Sequence, residues 1–236
     1  MNKKRLLTIF ILLVAIPLTV YFGGVVFREK YYAWLSLCVA LLACLPLFFC
    51  FERKEATSAE LTVISVLVAI SVIGRFAFVW LPAFKPITAI TVISAVWLGK
   101  EAGFAVGALS AVISNFYFGQ GPWTPFQMFA WGFIGFVAGV FGQKLRNNKV
   151  LMCIYGAFSG IIYSLAMDVW TTVWAENIFN TTRYFATVVT SLPTTIGYAV
   201  ANVVFIFLLA KPLGNKLSRI KKKYGLFSVN YEGEKS

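Results

Sequence analysis

The chain has 236 residues, of which 59% are hydrophobic and 13% charged, and it carries a formal net charge of +12 with no histidine. A mean hydropathy of +0.79 and several apolar runs long enough to cross a hydrocarbon core of roughly 30 Å at about 1.5 Å per residue describe an integral membrane protein of helices. A soluble domain would need more polar surface, and a β-barrel would show short alternating segments.

In chain order the apolar runs predict spans at 6–26, 32–51, 61–80, 87–98, 102–118, 126–143, 150–174 and 184–210. The first follows Lys3, Lys4 and Arg5 and resembles a secretory signal, but its length exceeds the usual apolar core and no small-x-small cleavage site follows, so it reads as a membrane helix. The polar stretch from Glu52 to Ser58 separates the first two spans from a six-helix unit, which divides the chain into 1–55, 56–217 and a basic tail, 218–236. The fourth span, 87–98, reaches only about 18 Å, so it is expected to tilt against its neighbours, to be extended by its flanks, or not to span fully. Gly99, Lys100 and Glu101 make a tight turn after it. Pro193 in the last run predicts a bent helix or an outer-surface stretch before the true span.

With the N-terminus inside, 16 of the 21 basic residues fall at cytoplasmic ends. Only Arg28, Lys30, Lys85 and Arg183 fall outside, so both termini are expected in the cytoplasm. The charge is then accounted for by topology and attraction to anionic lipid rather than by nucleic acid.

Catalytic and metal chemistry find no foothold. Cys38, Cys44, Cys50 and Cys153 lie in apolar runs without metal-ligand spacing. There is no histidine to act as a base, no Gly-x-Ser-x-Gly, no phosphate-binding loop and no facing aspartate pair. No enzyme, metal or cofactor is expected, and any ATPase must be a separate chain.

Two charges lie inside apolar runs, Arg75 and Asp168, and an intramembrane ionisable group points to function by default. Both fall in the outer part of their helices, at the depth of Asn115 and Gln127. Helical spacing adds Trp131 beside Gln127, and Thr171 and Thr172 beside Asp168. The loops 81–86, with Lys85, and 119–125, with Gln120 and Trp123, stand over the same end. A binding pocket for a polar solute follows from this convergence, as does a buried Arg75–Asp168 pair that only locks helices together. Gly103, Gly107, Ala111 and Asn115 form one stripe on their helix; with Gly135, Gly139, Gly156 and Gly160 its small residues predict close helix packing.

The runs 60–78 (ELTVISVLVAISVIGRFAF), 85–92 (KPITAITV) and Gly103 through Ser114, Asn115, Phe116, Tyr117, Phe118, Gly119, Gln120, Gly121, Pro122, Trp123, Thr124, Pro125, Phe126, Gln127 and Met128 resemble the S components of energy-coupling factor (ECF) vitamin transporters. The resemblance covers roughly 60–217. It implies an all-α, six-helix substrate-binding membrane subunit, here preceded by two extra transmembrane helices. Such a subunit captures a micronutrient from outside. It delivers its cargo through a transmembrane coupling subunit and two cytoplasmic ATPases in separate chains, in a bacterial plasma membrane. Ser65 and Ala69 match the small-x-x-x-small face that meets the coupling subunit, and loops 81–86 and 119–125 match the gating loops. On the pocket reading of that convergence, Arg75, Lys85, Asn115, Gln120, Trp123, Gln127, Trp131, Asp168, Thr171 and Thr172 are the expected substrate-binding residues. Among the family's cargoes the resemblance points first to a cobalamin-type corrinoid, with pantothenate, a queuosine precursor or another vitamin open. An ion-coupled secondary transporter of a small polar solute and a non-transporting assembly protein are the alternatives.

Overall fold

The computed structural model describes residues 14, 57–121, 123–176 and 180–227. The two expected N-terminal helices, Cys38, Cys44, Cys50 and the tail from 228 onward lie outside the described residues. The described residues form an all-α array: α1 (Ser58–Ala77), α2 (Ile87–Leu98), α3 (Lys100–Phe118), α4 (Trp123–Val140), α5 (Gly142–Asn147), α6 (Lys149–Glu176) and α7 (Thr181–Tyr224). By length and composition α1, α3, α6 and α7 can each cross a membrane.

Helix α1 begins at a capping box. The Thr57 hydroxyl accepts from the Glu60 amide at 3.2 Å, and the Glu60 carboxylate accepts from the Thr57 amide at 3.2 Å, which satisfies two of the amides left unpaired at a helix start. Its buried residues, Ile64, Leu67, Val68, Ser71 and Val72, recur at i, i+3, i+4, i+7 and i+8 and form one face. Val66, Ile70 and Ile73 are exposed on the other sides, as suits a helix with lipid on one flank.

The short α2 is buried at every position except Trp97. A helix wrapped by α1, α3, α4 and α7 meets little lipid, so it has no need to match the bilayer's thickness. Gly99 then reverses the chain with φ 113°, a conformation that a side chain resists, and α3 starts at once.

Glycines set the spacing between α3 and α4. A Cβ on Gly107 would lie 2.5 Å from the Trp131 carbonyl oxygen, one on Gly135 would overlap the backbone of Gly103, and one on Gly139 the backbone of Lys100. The packing expected of Gly156 and Gly160 also holds: they meet Ile206 and the Tyr198–Ala199 backbone, bringing α6 and α7 together as a hairpin. Polar pairs run along that seam, with Ser164 to Thr195 at 2.6 Å and Asn202 Nδ2 donating to the Gly156 carbonyl at 3.0 Å.

Several boundaries differ from the sequence reading: α1 runs from Ser58 to Ala77 rather than over 61–80, and Lys100 and Glu101, expected in a turn, open α3. The 126–143 span begins at Trp123 and breaks at Phe141, so that α5 forms a separate short helix before α6. Helix α7 is one continuous element of 44 residues with Pro193 and Pro212 inside it. At about 66 Å it is more than twice the roughly 30 Å hydrocarbon core, because its basic part stays helical to the left-handed cap at Gly225.

Candidate functional site

Arg75 lies in the last turn of α1 and reaches across to α3. Its Nη1 donates to the Ser114 hydroxyl and, at 2.9 Å, to Asn115 Oδ1. The guanidinium sits over the Phe118 ring at 4.3 Å and near the Trp131 ring at 5.4 Å. Asn115, 1% exposed, passes the connection on: its Nδ2 donates to Thr124 Oγ1 at 2.9 Å and to Gln127 Oε1 at 2.8 Å. Gln127 Nε2 donates to the Tyr163 hydroxyl at 3.2 Å. Trp131, one turn along α4, stacks on Tyr163 with centroids 4.6 Å apart and planes 9° off parallel, and donates its indole N–H to Thr88 at 3.1 Å. Tyr198 of α7 closes the group, edge-on to Tyr163 at 5.2 Å.

Six helices, α1, α2, α3, α4, α6 and α7, thus contribute to one network around a cation. Its protein partners are neutral oxygens and aromatic faces, and among the described residues no carboxylate pairs with it. A guanidinium carries five N–H donors, and only those of Nη1 are engaged by the protein among the described residues. The arrangement offers directed donors and flat apolar walls at one end of the bundle. That chemistry suits a planar, oxygen-rich solute.

Arg75, Asn115, Gln127 and Trp131 therefore come together as expected from their depth. Gln120 is exposed and joins at the rim, where its Oε1 accepts from Thr124 at 2.9 Å while its amide nitrogen donates to the Val112 carbonyl at 2.9 Å. Trp123 is half-buried, its ring so close that a Cβ on Gly121 would overlap it. Lys85, in the loop before α2, donates to the Leu81 carbonyl at 3.2 Å; burial, and then the nearby Arg75 charge, hold its ammonium below the usual lysine pKa. That loop folds inward: Phe78 and Phe84 both pack on Phe205 of α7, at 5.1 and 5.0 Å.

The Arg75–Asp168 pair is not formed among the described residues. Asp168, 6% exposed, accepts from the Ser191 hydroxyl of α7 at 2.7 Å. Five positions separate it from Tyr163, which turns it about 140° around α6, toward α7 and away from α4. Thr172 is buried and donates to the Asp168 carbonyl at 2.8 Å; Thr171 is exposed and donates to the Met167 carbonyl at 3.0 Å. Neither hydroxyl reaches the network. Ser65 and Ala69 are exposed on α1.

The sequence reading passed over Thr88, Ser114, Thr124, Tyr163, Tyr198 and Ser191. Ser114 had a signal, since it stands four residues after Ser110 and beside Asn115 on a small-residue helix. The tyrosines had none, because a tyrosine in an apolar run reads as core.

Residues 55–219 match the family of the ECF-type riboflavin transporter, S component. The chain has no match among curated proteins or solved structures. The matched region takes in α1 to α6 and nearly all of α7, with every residue of the network, and the apolar helices agree with a membrane subunit. The protein belongs to the ECF S-component family of membrane subunits for vitamin uptake, in its riboflavin-transporter type.

Proposed function

We propose that the protein captures a flavin of the riboflavin kind from the outer side of a bacterial plasma membrane and hands it inward with an ATP-driven module. One observation carries the choice of site: a guanidinium within a membrane helix, over the Phe118 ring and near the Trp131 ring that stacks on Tyr163, with donors left unused among the described residues. Flavin offers a planar ring for the aromatic faces, carbonyl oxygens for Arg75 and an N–H and polar chain for the amides of Asn115 and Gln127. The family match gives no support to the corrinoid expected from the sequence. Lys85, Gln120 and Trp123 are assigned to the outer rim of the cargo, and Asp168, held by Ser191, with Thr171 and Thr172, bonded within α6, to the support of that rim.

The loop 81–86 and the connection 119–122 with the first turn of α4 are the gates in this reading, the first already folded against Phe205. A transmembrane coupling subunit docks on the exposed Ser65–Ala69 face of α1, and two cytoplasmic ATPases in separate chains supply the energy. The test is thermal unfolding of the purified full-length protein with riboflavin, cobalamin, cobinamide and pantothenate, since a ligand at 100 times its Kd adds about 2.7 kcal/mol to the native state. Riboflavin is expected to raise the midpoint, and Arg75→Gln to remove most of the rise. A shift with a corrinoid alone, or an undiminished riboflavin shift in Arg75→Gln, overturns the assignment.

A further inference from the structure

The extension of α7 beyond its apolar part has no role in the binding site. From Lys211 to Phe227 the chain carries six basic residues and no acidic one. It stays helical to Tyr224, and it does not project freely from the bundle. Gly214 lies against the Trp97 ring so closely that a Cβ would overlap it. Ser218 Oγ accepts from Arg146 Nη2 at 3.2 Å, Lys221 Nζ donates to the Trp97 carbonyl at 3.3 Å, and the Phe227 amide donates to the Glu60 carboxylate. These partners are the end of α2, the short α5 and the start of α1. They all belong to the end of the bundle that the positive-inside rule assigns to the cytoplasm.

The segment is thus pinned across that end with two unlike faces. Ala210, Gly214 and Leu217 are buried against the bundle. Lys211, Lys216, Arg219, Lys222 and Lys223 are exposed, and among the described residues none of them is held in an ion pair. Lys149 and Lys144 extend the same positive field from α6 and α5.

We propose that this stripe is a docking surface for the anionic phospholipid headgroups of the inner leaflet, which hold the S component at a set depth and orientation. Charge complementarity identifies the occupant. A polybasic segment beside a membrane helix is drawn to anionic lipid, each residue favouring it by about fivefold, within a Debye length of the surface. Fixing the helix on Trp97, Arg146 and Glu60 presents those charges together rather than on a wandering tail, so less ordering is needed when lipid binds.

The test uses the full-length protein in detergent, with tryptophan-to-pyrene energy transfer from pyrene-labelled phosphatidylglycerol or phosphatidylcholine. The wild type is expected to take up phosphatidylglycerol at least tenfold more tightly at about 0.15 M salt and to lose the preference near 1 M. The variant K216Q/R219Q/K222Q/K223Q should lose most of the preference, while Arg183→Gln at the opposite end keeps it. Circular dichroism melts of each variant confirm folding, and the salt series on the wild type stands without any variant. Equal uptake of the two lipids, or a preference that survives the quadruple change, overturns the proposal. If the lipid preference is absent while assembly with the energising subunits falls in the quadruple variant, the stripe is a protein-docking surface instead.

Discussion

Gly107 is the position at which packing and binding are most directly tied. Its missing side chain lets the α4 backbone approach so closely that an alanine Cβ would stand 2.5 Å from the Trp131 carbonyl oxygen and 2.6 Å from its carbon. Backbone atoms cannot swing aside as a flexible side chain would. In Gly107→Ala the two helices must separate by about 1 Å to restore van der Waals contact. The Asn115–Gln127 bond, now 2.8 Å, spans the same interface two turns away, and a shift of that size takes it past the limit of a useful hydrogen bond. Overpacking costs about 1–3 kcal/mol, and a buried amide left short of a partner adds about 1 kcal/mol or more. The expected loss is about 2–4 kcal/mol, a fall in unfolding midpoint of roughly 4–16 °C for a chain of this size, together with weaker flavin binding through the displaced Gln127 and Trp131. Thermal unfolding in detergent and equilibrium titration with riboflavin measure the two effects. A variant with both the midpoint and the affinity of the wild type would refute the claim that glycine spacing holds the network in register.

Gln127→Leu removes the acceptor of Asn115 and the donor to Tyr163; riboflavin affinity should fall about tenfold or more, one lost buried hydrogen bond being worth about 1 kcal/mol and an orphaned group more, and an unchanged Kd would place the cargo elsewhere. Asp168→Asn keeps an acceptor for Ser191 while removing a buried charge, so the unfolding midpoint should stay level or rise; a lower affinity at that midpoint assigns the carboxylate to the cargo, and an unchanged affinity makes it structural. Ser65→Leu places a bulky side chain on an exposed face of α1, so riboflavin binding should be retained while ATP-driven uptake in vesicles with the energising subunits is lost. Undiminished uptake would remove that face from the docking surface.

The class of the protein was legible in the chain because it depends on local quantities. Apolar length and the scarcity of charge specify membrane helices without reference to any contact, and the short α2 was read at 87–98, the bounds it has in the fold. The small-residue stripes at Gly103, Gly107, Gly135, Gly139, Gly156 and Gly160 foretold close helix contacts for the same reason, since each is a periodic property of one element. Which side chains meet is a property of pairs. Arg75 and Asp168 share a depth in the sequence reading, yet the rotation of α6 turns Asp168 to Ser191 and leaves Tyr163 facing Trp131. The inward fold of the loop before α2 and the pinning of the basic end of α7 beneath Trp97 likewise depend on the register of helices far apart in the chain. Periodicity fixes the face a helix buries but not the neighbour it is buried against, and that neighbour is decided only when all the helices pack at once.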